Sequence, residues 1–299
     1  VFLAIPALVA ASAGQLRDEL LAELVEGRRT AAFVVADRAG ALGAADARSK
    51  TTEVSVTADG DALTGTVERV ADAGAADDLL VAARSANGVT LYAVDASGPG
   101  VERSPLVTLD LTRPQATVRL SGAPGRLVAG PGEAERVIEH ALQVGSALLA
   151  AEQVGAGQHL LDLSVDYAKS RMQFGRPIGS FQAVKHRLAD LLVDLEHARS
   201  TAYHAVWALA DGSDDPALAA SIAQATCSAA LSRIAADTIQ VHGGIGFTWE
   251  HQAHLYFKRA TTDAALLGTA EQHRSRVAEL VLDNAQAERV PPVADGSPS

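Results

Sequence analysis

The sequence predicts an α+β protein: an antiparallel β-barrel or sandwich domain followed by a C-terminal four-helix bundle, with a shortened helical region in front. Three observations carry this. Between residues 31 and 130 short β-rich runs alternate with turn residues. Beyond Pro131-Gly132 the apolar spacing takes the helical period and keeps it. The first 30 residues have a helical pattern but are few. At 299 residues, with 48% hydrophobic and only 4% aromatic content, the chain has length for about two domains and the alanine-rich look of a helical protein.

In chain order, residues 1–30 form the first unit. Val1 to Gly14 is apolar and ends in Ala-Ser-Ala-Gly, yet it lacks a basic leader and carries Pro6, so it reads as a helical fragment rather than a signal peptide. Leu16, Leu20, Leu21 and Leu24 place a helix over residues 16–26, stopped by Gly27. Residues 31–130 are the β domain. Its runs include Ala32–Val35, Thr52–Val56, Leu79–Ala82, Val89–Val94 and Ala116–Leu120, with turns at Ala58–Asp61, Asn87-Gly88 and Gly98–Gly100. Residues 131–285 are the bundle, with helices expected over about 133–169, 181–210, 217–242 and 250–266, and a break at Gly212–Pro216. The tail, 286–299, has the composition of a disordered segment.

Charge and cysteine usage exclude several functions. A formal charge of −11 disfavours nucleic acid and anionic lipid as partners. A polyanionic ligand would need a local basic patch. One cysteine, Cys227, rules out an internal disulfide and any multi-cysteine metal site; it reads as a core residue, and the cytosol as the compartment. His251 and His254 read as a solvated pair without a third ligand, so no metal is expected.

Three segments carry chemistry. Arg171-Met172-Gln173-Phe174-Gly175-Arg176 runs into Pro177-Ile178-Gly179-Ser180-Phe181-Gln182. Here Arg171 can fork onto a pyrophosphate, Phe174 offers a flat apolar wall, and Gln182 opens a helix within reach of a base or ribose. Alone, such a segment is more often a helix–helix corner with a solvated Arg176. Gln240-Val241-His242-Gly243-Gly244-Ile245-Gly246-Phe247 pairs a helix end with glycines that bring backbone N–H groups close to a phosphate or adenine, although the bland reading is a C-cap. Leu266-Leu267-Gly268-Thr269-Ala270-Glu271-Gln272 holds a capping box, Thr269 with Gln272, that starts a last helix.

In this order, and with Tyr256-Phe257-Lys258-Arg259 between the last two, the segments resemble the acyl-CoA dehydrogenases over at least residues 31–280. The resemblance implies FAD and α,β-dehydrogenation of an acyl-CoA thioester, with electrons passed to an electron-transfer flavoprotein. It implies FAD contacts from Arg171, Gln173, Phe174, Gln182, Gln240, Gly243 and Gly244 across a subunit interface. Thr269 and Glu271 would either touch the flavin side or cap the helix.

Departures from the family are as informative. The base that removes the α proton is usually a glutamate just before Gly-Thr, where this chain has Leu267; a minority place it on the first bundle helix, near Gly145. No catalytic residue is therefore assigned. The family's Thr-Glu-Pro-like stretch falls at Ala36–Gly40 and its Trp-Ile-Thr-like strand near Arg69–Asp72. The half-site that a subunit builds for itself thus looks eroded and the half it lends looks intact. This resembles the non-catalytic subunit of the heterotetrameric, α2β2 dehydrogenases of actinobacterial steroid side-chain degradation. A self-sufficient homomer using Glu152, and a scaffold or acyl-CoA-binding protein without flavin, are the alternatives.

Overall fold

The computed structural model describes residues 2–35, 54–212 and 214–287. The stretch at 36–53, which contains Ala36–Gly40 and the first two residues of the expected Thr52–Val56 strand, and the tail beyond 287 lie outside it. Two short helices open the chain, α1 (Ala4–Ala10) and α2 (Gln15–Val25). Pro6 is tolerated in α1 because the first helical turn has no intrahelical acceptor for its missing N–H. Gly27, at φ 70°, ends the second helix as expected.

Eight strands follow: β1 (Ala31–Val34), β2 (Val56–Asp59), β3 (Ala62–Ala71), β4 (Asp78–Ser85), β5 (Gly88–Asp95), β6 (Val101–Pro105), β7 (Gln115–Pro124) and β8 (Arg126–Ala129). They form one sheet in the order β6-β7-β3-β2-β4-β5-β8, with β1 also on β4. Most pairings are antiparallel, but β1 and β2 run parallel to β4, so the sheet is mixed. The expected hairpin forms one residue earlier, with Ala86-Asn87 as the loop and Ser85 opposite Gly88, the first residue of β5. Strands β3, β6 and β8 were not among the expected runs. β3 is interrupted by Gly65 and a bulge that break its alternation, β8 has only four residues, and β6 is a polar edge strand ending in Pro105.

β4 is buried on both faces. Leu79, Val81 and Ala83 join Val56, Leu63, Val118 and Leu120 in a core inside the sheet. Leu80 and Ala82 face a second core shared with α1, α2 and the start of the next helix. Alternation with period two therefore splits one strand between two cores.

The helical part holds α3 (Glu133–Ser170), α4 (Gln182–Asp211), α5 (Pro216–His242), α6 (Ala253–Asp263) and α7 (Ala270–Ala287). Asp215 caps α5 by accepting from the N–H groups of Ala217 and Leu218, with Pro216 at the first position. The helix expected over 250–266 is cut to the 11 residues of α6, because the chain turns near Leu267, at φ 60°, before α7 starts. Cys227 is buried, its Sγ donates to the Ala198 carbonyl, and burial pushes its thiol up to about 11, so it is a core residue as read. Among the described residues no helix is long and apolar enough to cross a membrane.

Candidate functional site

At the end of α3 the chain reverses through a minimal hairpin, β9 (Met172–Gln173) against β10 (Arg176–Pro177). Arg171 leaves the helix in extended backbone, and its carbonyl accepts from Ile178 N at 2.8 Å. Phe174 and Gly175 form the tip, at φ 54° and 76°. A phenylalanine at positive φ is strained, and Phe174 is also 90% exposed, so the fold gains little from it internally. The tip is braced by Phe181, whose ring meets Phe174 edge-on at 6.1 Å. Arg176 is exposed, as the bland reading of this segment has it, and its guanidinium lies over the Phe181 ring at 3.9 Å. Arg171, Gln173 and Gln182 are exposed, and among the described residues none has a side-chain partner.

The glycine segment lies at the same end of the bundle. α5 stops at His242, Gly243 takes φ 64°, and a 3-10 turn, Gly243–Phe247, follows. A Cβ on Gly243 or Gly244 would meet nothing within 4 Å, so this backbone is open to a ligand, and Gln240 is exposed beside it. The link between the two segments is Tyr167 of α3: its ring stacks on His242 at 4.4 Å, one turn before Arg171. Ile245 and Phe247 in the turn and Trp249 beyond it are exposed. His251 and His254 are not a solvated pair. His251 packs on His242 at 4.4 Å, and His254 is buried edge-on against Trp249, because the turn folds α6 back onto α5. Among the described residues no group of three His, Cys, Asp or Glu could hold a metal ion.

Thr269 and Glu271 stand elsewhere. The capping box forms, with Thr269 N donating to Gln272 Oε1 at 2.8 Å and Gln272 N donating to Thr269 Oγ1 at 3.3 Å. The Glu271 carboxyl is held below its usual range by its own backbone N–H and the Thr269 hydroxyl. Leu267 is 3% exposed, and its Cδ1 would lie 3.3 Å from a Cβ on Gly145. The two backbone positions expected for a base therefore converge, and both are apolar.

Glu152, the other candidate base, is engaged. Both its oxygens accept from Arg113 at 2.9 Å, and Oε1 also meets Arg259 at 2.9 Å. These belong to a partly buried ionic cluster that sequence spacing could not reveal. Arg259 also pairs with Asp110 at 2.9 Å, and Arg113 Nε lies 3.5 Å from Asp263. Both Asp263 oxygens are buried without a hydrogen bond. Burial pushes its carboxyl up to about 7, against the pull of Arg113 and with the push of Glu152. Protonated, Asp263 leaves two guanidiniums balanced by two carboxylates.

The eroded half-site holds no aromatic wall at Arg69–Asp72. Arg69 and Asp72 sit at φ 57° and 60° around a bulge in β3, with Val70 turned into the sheet core. Distance separates the two halves. Gly145 touches the Leu267 turn, and Arg171 caps α3 26 residues later; at 1.5 Å per residue these points lie about 39 Å apart along one rigid helix.

A β domain on a bundle with this hairpin and glycine turn defines a class, the flavin-dependent acyl-CoA dehydrogenase fold. Residues 135–282 match the acyl-CoA dehydrogenase C-terminal domain, and the chain belongs to the acyl-CoA dehydrogenase family. The acyl-CoA dehydrogenase IpdE2 of Mycobacterium tuberculosis is 50% identical over 163 residues, 54% of this chain and 46% of that protein. Two solved structures are each 29% identical. A variant of the Tcur3481-Tcur3483 steroid ACAD has a TM-score of 0.82, over 95% of this chain and 75% of the other. The ChsE4-ChsE5 complex of Mycobacterium tuberculosis has a TM-score of 0.79, over 97% and 75%. The chain spans about half the length of the IpdE2 proteins it matches, 51% and 46%.

Proposed function

We propose that this chain is the non-catalytic subunit of a heteromeric, FAD-dependent acyl-CoA dehydrogenase, paired with a related catalytic subunit as α2β2. The observation that carries this is the separation of about 39 Å between the intact hairpin–glycine half-site and the turn where a base would stand. Groups about 39 Å apart along α3 cannot converge on one flavin within a chain, so the intact half serves a neighbour's site. A neighbour of the same kind would contribute leucine and glycine at both base positions, so the neighbour that completes catalysis is a different chain.

The residues present fit FAD on the lent side. Arg171 is an uncommitted guanidinium for the pyrophosphate, the open N–H groups of Gly243 and Gly244 can approach phosphate or adenine, and Phe174 forms an apolar wall. Gln173, Gln182 and Gln240 supply amides for ribose and base. FAD, when bound, supplies the acceptor for the β hydride of the thioester. The α proton goes to a carboxylate of the catalytic subunit. Within this chain, Phe174 excludes water and Arg171 neutralises phosphate charge on a protein that is acidic overall. Thr269 and Glu271 act here as helix caps.

Two solved neighbours are described by their names as a steroid ACAD and as a two-protein complex, which supports a bulky steroid side-chain CoA as substrate on the catalytic subunit. An electron-transfer flavoprotein is the proposed electron acceptor. The test is the flavin content and mass of this chain made alone and then together with a candidate catalytic acyl-CoA dehydrogenase chain that carries the base glutamate. FAD retained only on co-expression, with both chains in equal amounts, is the expected result. Stoichiometric FAD and acyl-CoA oxidation by this chain alone would overturn it.

A further inference from the structure

Gly145 is more than a place where a carboxylate is missing. A Cβ there would collide with Leu3 Cδ2, and it would lie 3.3 Å from Leu267 Cδ1. Leu3, at the start of α1, thus packs against the α3 backbone at a buried point where a side chain is absent, and Leu267 closes the other flank. Leu267 holds this position at φ 60°, a strained backbone for a branched residue, and keeps it under a hydrogen bond from His273 Nε2 to its carbonyl at 2.8 Å. Phe2 continues the seal, with the Arg113 guanidinium 5.9 Å from its ring centroid.

We propose that Leu3 is an internal plug: with Leu267 it fills the space in which the thioester end of an acyl group would meet a base, so that this subunit's own acyl cavity is closed and acyl-CoA binds on the catalytic subunit alone. The proposal rests on the family reading above, but not on the shared flavin site. It explains three facts together, namely the glycine at 145, the leucine at 267 and the strained turn kept to present it. A leucine that merely fills a core needs none of the three.

The experiment compares octanoyl-CoA with free CoA as ligands of the purified chain, by thermal shift and calorimetry, in four forms. Leu3→Gly removes the plug, Leu3→Ile keeps an apolar filling, and Leu8→Ala empties an equally buried site on the same helix. An octanoyl-dependent shift in Leu3→Gly of at least 2 °C beyond free CoA, absent from wild type, Leu3→Ile and Leu8→Ala, is the expected pattern. The proposal is overturned if wild type shows the octanoyl-dependent shift, if Leu8→Ala responds as Leu3→Gly does, or if folded Leu3→Gly, checked by circular dichroism, shows none. An unfolded Leu3→Gly transfers the same comparison to Leu3→Ala. Flavin content is read separately on the co-expressed complex, so failure of the shared-site reading leaves this result standing.

Discussion

His273 Nε2 donates a 2.8 Å hydrogen bond to the carbonyl of Leu267, and this bond spans the turn between α6 and α7. The acceptor is a carbonyl, so the imidazole must carry its proton on Nε2, and Nδ1 is left buried without a partner. Burial holds the His273 pKa below 6.5, with the Leu267 bond opposing it. The neutral ring is therefore the form that fits. The contribution is fully present above the unfolded value of about 6.5 and is lost as pH falls through the lower native value. Replacing His273 with Phe leaves the carbonyl unpaired and should cost about 1–3 kcal/mol at pH 8, read as a lower denaturant midpoint. The variant should also lose part of the wild type's destabilisation between pH 7 and 5.

Asp263 behaves oppositely. Its carboxyl is raised from 3.8 to about 7, so the native state binds a proton that the unfolded chain has released. The stabilising proton is fully in place below about 3.8, and its benefit declines as pH rises to about 7. Asp263→Asn keeps the shape without the charge. It should be more stable than wild type at pH 8, by about 1–3 kcal/mol, and the gain should vanish near pH 4. A thermal melt series across that range measures it; an equal effect at both ends would show that the carboxylate is not the cause.

Glu152→Gln breaks the contacts that hold Arg113 and Arg259. Arg113 is buried, so it would keep only a poorly placed Asp263 as counter-charge. Glu152 is 45% exposed, which limits the loss to about 1–3 kcal/mol. If Glu152 were a base for this chain, the variant would lose turnover at unchanged stability; the clamp requires the reverse.

Arg171→Ala tests the lent half-site. Arg171 is exposed and unpartnered among the described residues, so stability should change by less than about 0.5 kcal/mol. FAD retained by the co-expressed complex should fall at least tenfold. Arg171→Lys should recover only part of it, since an ammonium cannot fork onto two phosphate oxygens. Unchanged flavin in Arg171→Ala would remove this residue from the site.

What was legible in the sequence was local. Asn87-Gly88 specifies a hairpin, Asp215-Pro216 a helix start and Thr269 with Gln272 a capping box, because in each the interacting groups lie within four residues. The Arg171–Gln182 and Gln240–Phe247 segments were legible by resemblance. Illegible was whatever depends on packing across the chain. Arg113 meets Asp263 and Leu3 meets Gly145 with no short-range pattern to announce either contact. Strands β1 and β2 both pair in parallel with β4 along the edge opposite β5, a matter of topology rather than composition.

Two glycines of α3 provide a matched comparison. Gly155 is exposed, and a Cβ there would meet nothing within 4 Å, so Gly155→Ala should gain most of the helix-propensity difference, about 0.5–1 kcal/mol. Gly145→Ala gains the same propensity but drives its methyl into Leu3 against a buried core, an overpacking cost of about 1–3 kcal/mol that should outweigh it. Equilibrium unfolding of the two variants should therefore move the midpoint in opposite directions. Adding Leu3→Ala to Gly145→Ala should make the pair less destabilising than the sum of the single changes, because the second removes the atom with which the first collides. Strict additivity would mean that Leu3 and Gly145 do not touch in solution.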